Sequence, residues 1–151
     1  MTKLFIFLFT FLTLHFSFAQ KKQEMIHMKS QNDFNTTVNL LYQTLEEKEL
    51  TVFADFDHQR NAKEVGLTMP RSRVIVFGNP KVGTFLMKEN PSVALELPLK
   101  IAIVEDENAE VSIVFTPVSS WKKKYNIKDK NLLSKMQAAM DAIAKRITRQ
   151  N

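Results

Sequence analysis

The sequence predicts a single α+β domain, with a mainly antiparallel sheet of four to five strands and helices packed on one face. Three observations carry this expectation. Two strand-like runs, "LKIAIVED" (99–106) and "EVSIVFTP" (110–117), flank Glu107, Asn108 and Ala109, the spacing of a tight hairpin. The element order reads β-α-β-α-β-α-β-β-α, without the regular βα alternation of a parallel sheet. The last pattern, 131–150, puts Leu132, Leu133, Met136, Met140, Ile143 and Ile147 on one stripe, as a helix lying on a sheet requires.

Each element has a local reason. "EMIHMKS" (24–30) alternates loosely and reads as a first strand. Residues 33–49 carry Phe34, Val38, Leu41 and Leu45 at helical spacing, with Asp33 as cap. "LTVFADFD" (50–57) reads as a strand with Val52, Ala54 and Phe56 on one face. A short helix over 58–65 follows, capped by Asp57, with Ala62 and Val65 turned inward and Gly66 as its left-handed terminator. "RVIVFG" (73–78) is a short apolar run bounded by turn residues, hence a buried strand. Asn79-Pro80 then starts a helix whose "FLM" (85–87) is its buried side, and Asn90-Pro91 ends it and opens the short turn "PSVALE". Pro117 stops the second hairpin strand, and Ser119 or Ser120 caps a helix over 119–126.

Ahead of this domain stands "MTKLFIFLFTFLTLHFSFAQKK". A lysine, a short apolar run, and Ser17 and Ala19 before Gln20 describe a secretory signal peptide over 1–19, leaving residues 20–151 as the domain. The expected location is therefore periplasmic or secreted, with no stable membrane anchor after cleavage. The apolar run is shorter than the ~20 residues that span a bilayer. The chain has no Cys, so neither disulfides nor thiol chemistry contribute. The net charge of +5, lowered by one when Lys3 leaves with the signal, is a modest excess and suggests no nucleic-acid partner.

Few residues bear chemistry. Gly78, Asn79, Gly83 and Thr84 surround a helix start whose backbone N–H groups suit an oxygen-bearing ligand. Gly78 and Gly83 have the spacing of a phosphate-binding loop, but Thr84 follows where that loop needs Lys. The same residues also read as plain capping and packing. His58, at another helix start, is a polar contact, a metal ligand or a structural residue; Asp55 and Asp57 are its near neighbours. Met25 and His27 share a strand face, and thioethers suit Cu(I), so copper or haem handling through His58, His27 and Met25 is a second reading. A hydrolase or isomerase using His58 with Asp55 or Asp57 ranks last, for want of a nucleophile. There is no Ser-His-Asp order and no H-E-x-x-H.

The stretch 57–106 holds a denser pattern. Asp57-His58 is followed by Ala62, Gly66-Leu67 and Pro70; then come Phe77-Gly78-Asn79-Pro80, Gly83-Thr84 and Leu86-Met87. Asn90-Pro91, Ala94-Leu95 and Leu97-Pro98-Leu99 close it. This order and spacing resembles the family known as domain of unknown function 302. The resemblance implies a compact α+β domain able to self-associate, as a homodimer, and no established reaction. It also implies that His58, Asn79, Gly83 and Thr84 line one pocket. The expectation is thus an exported small-ligand-binding or self-associating module with no resident cofactor and a site at His58 and the Asn79–Thr84 helix start.

Overall fold

A computed structural model describes residues 25–149. The segment read as a signal peptide, 1–19, lies outside the described residues. Five strands form one open sheet: β1 (Ile26–Lys29), β2 (Thr51–Asp57), β3 (Ser72–Gly78), β4 (Leu99–Glu105) and β5 (Val111–Phe115). Their spatial order is β1-β5-β4-β3-β2, and every neighbouring pair is antiparallel. The helices are α1 (Phe34–Glu47), α2 (His58–Glu64), α3 (Pro80–Glu89), α4 (Trp121–Lys124) and α5 (Lys130–Thr148). The chain is thus the expected α+β domain with an antiparallel sheet.

The inner face of the sheet is set by the pairing register. Ile75 lies opposite Ile101 and Ile103 opposite Ile113, all fully buried, with Phe77 and Phe115 extending the layer. Strand residues two apart share a face, so this one register sends every large inner side chain the same way. α1 and α5 pack against that layer and against each other, through Leu41 and Leu45 on one and Met140, Ile143 and Ile147 on the other. The periodic stripe expected for α5 is the buried one, with Leu132 half-buried at its edge. The buried threonines cost little, because Thr44 and Thr148 donate to Leu40 and Ala144 carbonyls at 2.6 and 2.8 Å.

Most caps fall where the sequence placed them. Asp33 accepts from Thr36 N–H and Asp57 from Arg60 N–H, both at 2.9 Å. Gly66 takes the left-handed conformation after α2 (φ 76°), which an L side chain would adopt only with strain. The hairpin loop closes on Asp106, whose carboxylate accepts from Asn108 N–H and Glu110 N–H at 2.9 and 2.8 Å. Neither serine caps α4, since the Ser120 hydroxyl donates instead to the Pro117 carbonyl at 2.8 Å.

Three local expectations need correction. β2 is not a one-faced strand. Its register shifts between Val52 and Ala54, so Val52 pairs with Phe77 on the inner face while Ala54 and Phe56 pair with Val76 and Val74 on the outer one. The extra residue is Phe53, as a β-bulge requires. α2 buries nothing: Val65 is 72% exposed and only Ala62 is half-buried. On α3, Leu86 is fully buried but Phe85 is exposed.

Among the described residues no helix covers the outer face of the sheet. Val74, Ala102, Val104 and Val114 stand there half-buried, and Phe56 is exposed.

Asp55 ties β2 to its neighbours. Arg73 grips its carboxylate with two nitrogens, at 2.7 and 2.6 Å, and the Tyr42 hydroxyl of α1 donates to the same group. The Arg73 hydrogen bonds hold the Asp55 carboxyl below its ordinary range, outweighing partial burial, and Tyr42 adds to them. A depressed folded-state pKa contributes stability that is present above the unfolded value of about 3.9 and lost as pH falls through the folded value. Asp55→Asn should therefore lower unfolding free energy at neutral pH by about 1–3 kcal/mol, the worth of hydrogen bonds to a charged group. Urea titrations from pH 7 to pH 2 should show that difference shrinking below about pH 4.

Candidate functional site

α3 begins where the sequence placed a helix start, and its first turn settles how its polar groups are used. The Asn79 side-chain oxygen accepts from Lys81 N–H at 3.0 Å and from Val82 N–H at 3.3 Å. Pro80 has no N–H to offer. Gly83 N–H already donates to the Asn79 carbonyl at 3.0 Å, and the Thr84 hydroxyl donates to the Pro80 carbonyl at 2.8 Å. The donors that would have cradled an oxygen are consumed by the cap, so capping is what the polar atoms of this turn do.

The other side of the same turn opens on a cavity of about 570 Å³. Asn79, Gly83 and Thr84 all line it, so the structure brings these three candidates together. One wall is α3, through Val82, Gly83 and Met87. The facing wall is α5, where Leu132, Met136 and Met140 alternate with Lys135, Ala139 and Ile143 at helical spacing. The floor comes from Leu50, Phe77 and the segment Leu97–Leu99. Phe53, re-aimed by the bulge, completes the lining and is half-exposed. Nearly every lining group is apolar, and Lys135 is the sole charged one. Lys135 is exposed and makes no ion pair with a described residue.

Two small residues leave the space. A Cβ built on Gly83 would touch Leu97 at an ordinary 3.6 Å, so the glycine sets wall thickness rather than backbone conformation. Ala139 stands in the other wall.

The walls are held by polar straps outside the cavity. Asn90 caps the turn Pro91–Leu95 through Ser92 N–H at 2.9 Å and donates its amide to the Tyr125 carbonyl at 2.9 Å. Glu96 accepts from Lys124 at 2.6 Å and from the Tyr125 hydroxyl at 2.7 Å. Burial works against that charge, but the Lys124 and Tyr125 hydrogen bonds prevail and hold the Glu96 carboxyl below its usual range. Glu89, ending α3, accepts from Lys128 N–H at 2.7 Å just before α5. The second Asn-Pro pair is thus a structural joint.

His58 is not part of this cavity. It lies exposed at the far end of β2, seven residues from Thr51, which pairs with Gly78. A strand of that length spans roughly 20 Å. The single pocket expected for His58, Asn79, Gly83 and Thr84 is therefore not formed, because β2 holds the two parts at opposite ends. The His58 side chain makes no hydrogen bond with a described residue, Asp55 is engaged by Arg73 and Tyr42, and Asp57 caps α2. The paired His–Asp needed for acid–base work is absent from these residues.

His27 and Met25 do share an exposed edge, as expected for the two alternate positions. β1 and β2 are, however, the two edges of the sheet, four strand spacings or roughly 19 Å apart. His58, His27 and Met25 do not converge on one ion. Among the described residues no group of three or more His, Asp or Glu could hold a metal.

The comparisons with known proteins agree with this fold. The model of the family "Domain of unknown function DUF302" matches residues 26–143, spanning every strand and most of α5. The chain belongs to the DUF302 family. A crystal structure of a conserved DUF302 protein from Bacillus stearothermophilus superposes with a TM-score of 0.73 at 19% identity, covering 83% of this chain and 98% of that one. That likeness shows the DUF302 fold. The chain is also 31% identical over 87 residues to the fluoride-specific ion channel FluC 1 of Brucella suis and to its counterpart in Brucella abortus. The matched part is 58% of this chain and 34% or 32% of those proteins, so this DUF302 chain matches about a third of their length. No helix among the described residues is long and apolar enough to cross a membrane.

Sequence reasoning missed Lys135, Ala139, Phe53 and the methionines of the cavity. "AAM" at 138–140, a small pair within the stripe of α5, was the available signal for a thinned wall. Asn79→Ala should cost about 1 kcal/mol, the ordinary worth of an N-cap, read as a lowered thermal midpoint. His58→Ala, by contrast, should change unfolding free energy by less than about 0.5 kcal/mol, as exposed sites do.

Proposed function

We propose that this chain is an exported small-ligand-binding module whose ligand is apolar and occupies the cavity between α3 and α5. The observation that carries the reading is the cavity itself. Its volume, about 570 Å³, falls within the range of ligand pockets, roughly 300–1,000 Å³. Its lining is apolar with few polar groups, as in sites that bind through burial. Met87, Met136 and Met140 add adaptable walls, which suits a ligand class better than a single shape. The basic start, short apolar run and Ser17-x-Ala19 site at the N-terminus support export.

An apolar fluorescent probe, N-phenyl-1-naphthylamine, tests the reading. It should bind the folded protein with a blue-shifted, enhanced emission, and raise the thermal midpoint as any ligand of the native state does. Ala139→Phe should fill the cavity, weaken probe binding tenfold or more and leave the far-ultraviolet circular dichroism unchanged. Because His58 lies outside the cavity, His58→Ala should bind the probe like the parent. A parent protein that binds no probe, or an Ala139→Phe variant that binds it equally well, overturns the reading.

The uncovered apolar outer face of the sheet favours a second reading, self-association of two copies through that face. Phe56, Val74 and Val104, on the adjacent strands β2, β3 and β4, would lie within it. Sedimentation velocity should then show a dimer that Phe56→Glu converts to monomer; a monomeric parent at high concentration rejects it.

A further inference from the structure

The charge around the cavity narrows the ligand beyond "apolar". Lys135 is the sole charged residue of the lining, and no carboxylate lines it. Lys135 lies in the second turn of α5, is exposed, and has no ion-pair partner among the described residues. α3 presents its N-terminal end to the same space, with Asn79, Pro80, Val82 and Gly83 in the lining. Its first-turn amides are occupied by Asn79, yet the aligned peptide dipoles still leave that end positive. Two independent sources of positive potential thus meet at a cavity otherwise walled by hydrocarbon and thioether.

An apolar body alone leaves that potential unanswered. An anion buried deep among Phe77, Met140 and Ile143 would lose its hydration without a partner. The arrangement that satisfies both is an apolar chain inside and one anionic group outside, at the exposed ammonium.

Resting on the ligand-binding reading above, we infer that the cavity takes an amphipathic anion, a single alkyl chain ended by a carboxylate or phosphate, with its head group on Lys135. Lys135 both lines the cavity and is exposed, which fits the usual division of a long cationic side chain, stem on the apolar wall and ammonium at the rim. The chain supplies affinity through burial. Lys135 supplies selection between charged and neutral heads. The pair is solvent-exposed, so its contribution is modest and screened by salt.

The test compares dodecanoate, dodecyl phosphate and dodecanol, each competing with N-phenyl-1-naphthylamine at low ionic strength below the micellar range. Ratios between variants are read, because the three chains differ in solubility. Lys135→Gln should reduce the dodecanoate-to-dodecanol affinity ratio roughly threefold to fivefold, as an exposed ion pair allows. Lys135→Glu should reduce it further, and Lys135→Arg should keep it. Dodecanol affinity itself should stay within about twofold across the set. The dodecanoate and dodecyl phosphate arms show whether a fatty acid or a phosphate-headed lipid is the better source of the shared chemistry. If probe and dodecanol bind but the ratio is the same in all four proteins, the inference fails and the ligand-binding reading stands. If the probe binds and none of the three chains displaces it, the inference fails as well. If nothing binds, including the probe, both fail together.

Discussion

The structure depends on one constraint: a five-stranded sheet with, among the described residues, only one of its faces covered by helices. Ile75, Ile101, Ile103 and Ile113 point to that face because the antiparallel register allows no alternative, and α1 and α5 close over them. Each such side chain contributes on the order of 1.5–3 kcal/mol when removed from water. Much of that sum is offset by chain entropy, so the register has little tolerance for a slip. A slip of one residue in β3 would carry Ile75 and Phe77 to the bare outer face. The paired carboxylate–guanidinium contacts, Asp55 with Arg73 and Arg71 with Glu105, sit at one end of the same layer and pin that register from the side.

The cavity is a product of the same arrangement. Towards the ends of β3 and β4 that carry Phe77 and Leu99, the inner layer meets α3 and the turn after it as well as α5. Short side chains at Gly83 and Ala139 keep those two helices from closing the gap. Glu96, Glu89 and Asn90 bind the α3 side to the segment 124–129, so the walls are braced from outside by polar groups and stay apolar within. This division of labour explains why the helix start at Asn79 borders a site without donating to it. Its polar atoms face its own backbone, and its hydrocarbon faces the space.

Much of the architecture was legible because it is local. Asp33, Asp57 and Asn79 are capping residues by side-chain geometry alone, Gly66 follows from the φ it must adopt, and the hairpin at Asp106 is written in five consecutive residues. The antiparallel fold followed from that hairpin and the element order. The site was legible only in part. Asn79, Gly83 and Thr84 were found together because they are neighbours in the chain. Lys135 and Ala139 were not, because they join them only through the packing of α5 about fifty residues later. His58 was grouped with them by a shared pattern, but β2 carries it to the other end of the sheet. The β2 error has a similar cause: one bulged residue, Phe53, reverses the inside–outside alternation that any period-two reading assumes.

The strand order has a temporal side. β1 is the first element of the described chain and its only sheet partner is β5, with Ile26 opposite Phe115. At ordinary elongation rates β5 leaves the ribosome on the order of ten seconds after β1. During that interval β1 has no backbone partner, and α5, which packs beside it, is not yet made. The hairpin of β4 and β5 closes within microseconds once both strands exist. β2, β3 and β4 pair with one another and are made earlier, so they need not wait for β5; β1 alone stays without a strand partner until synthesis is nearly complete.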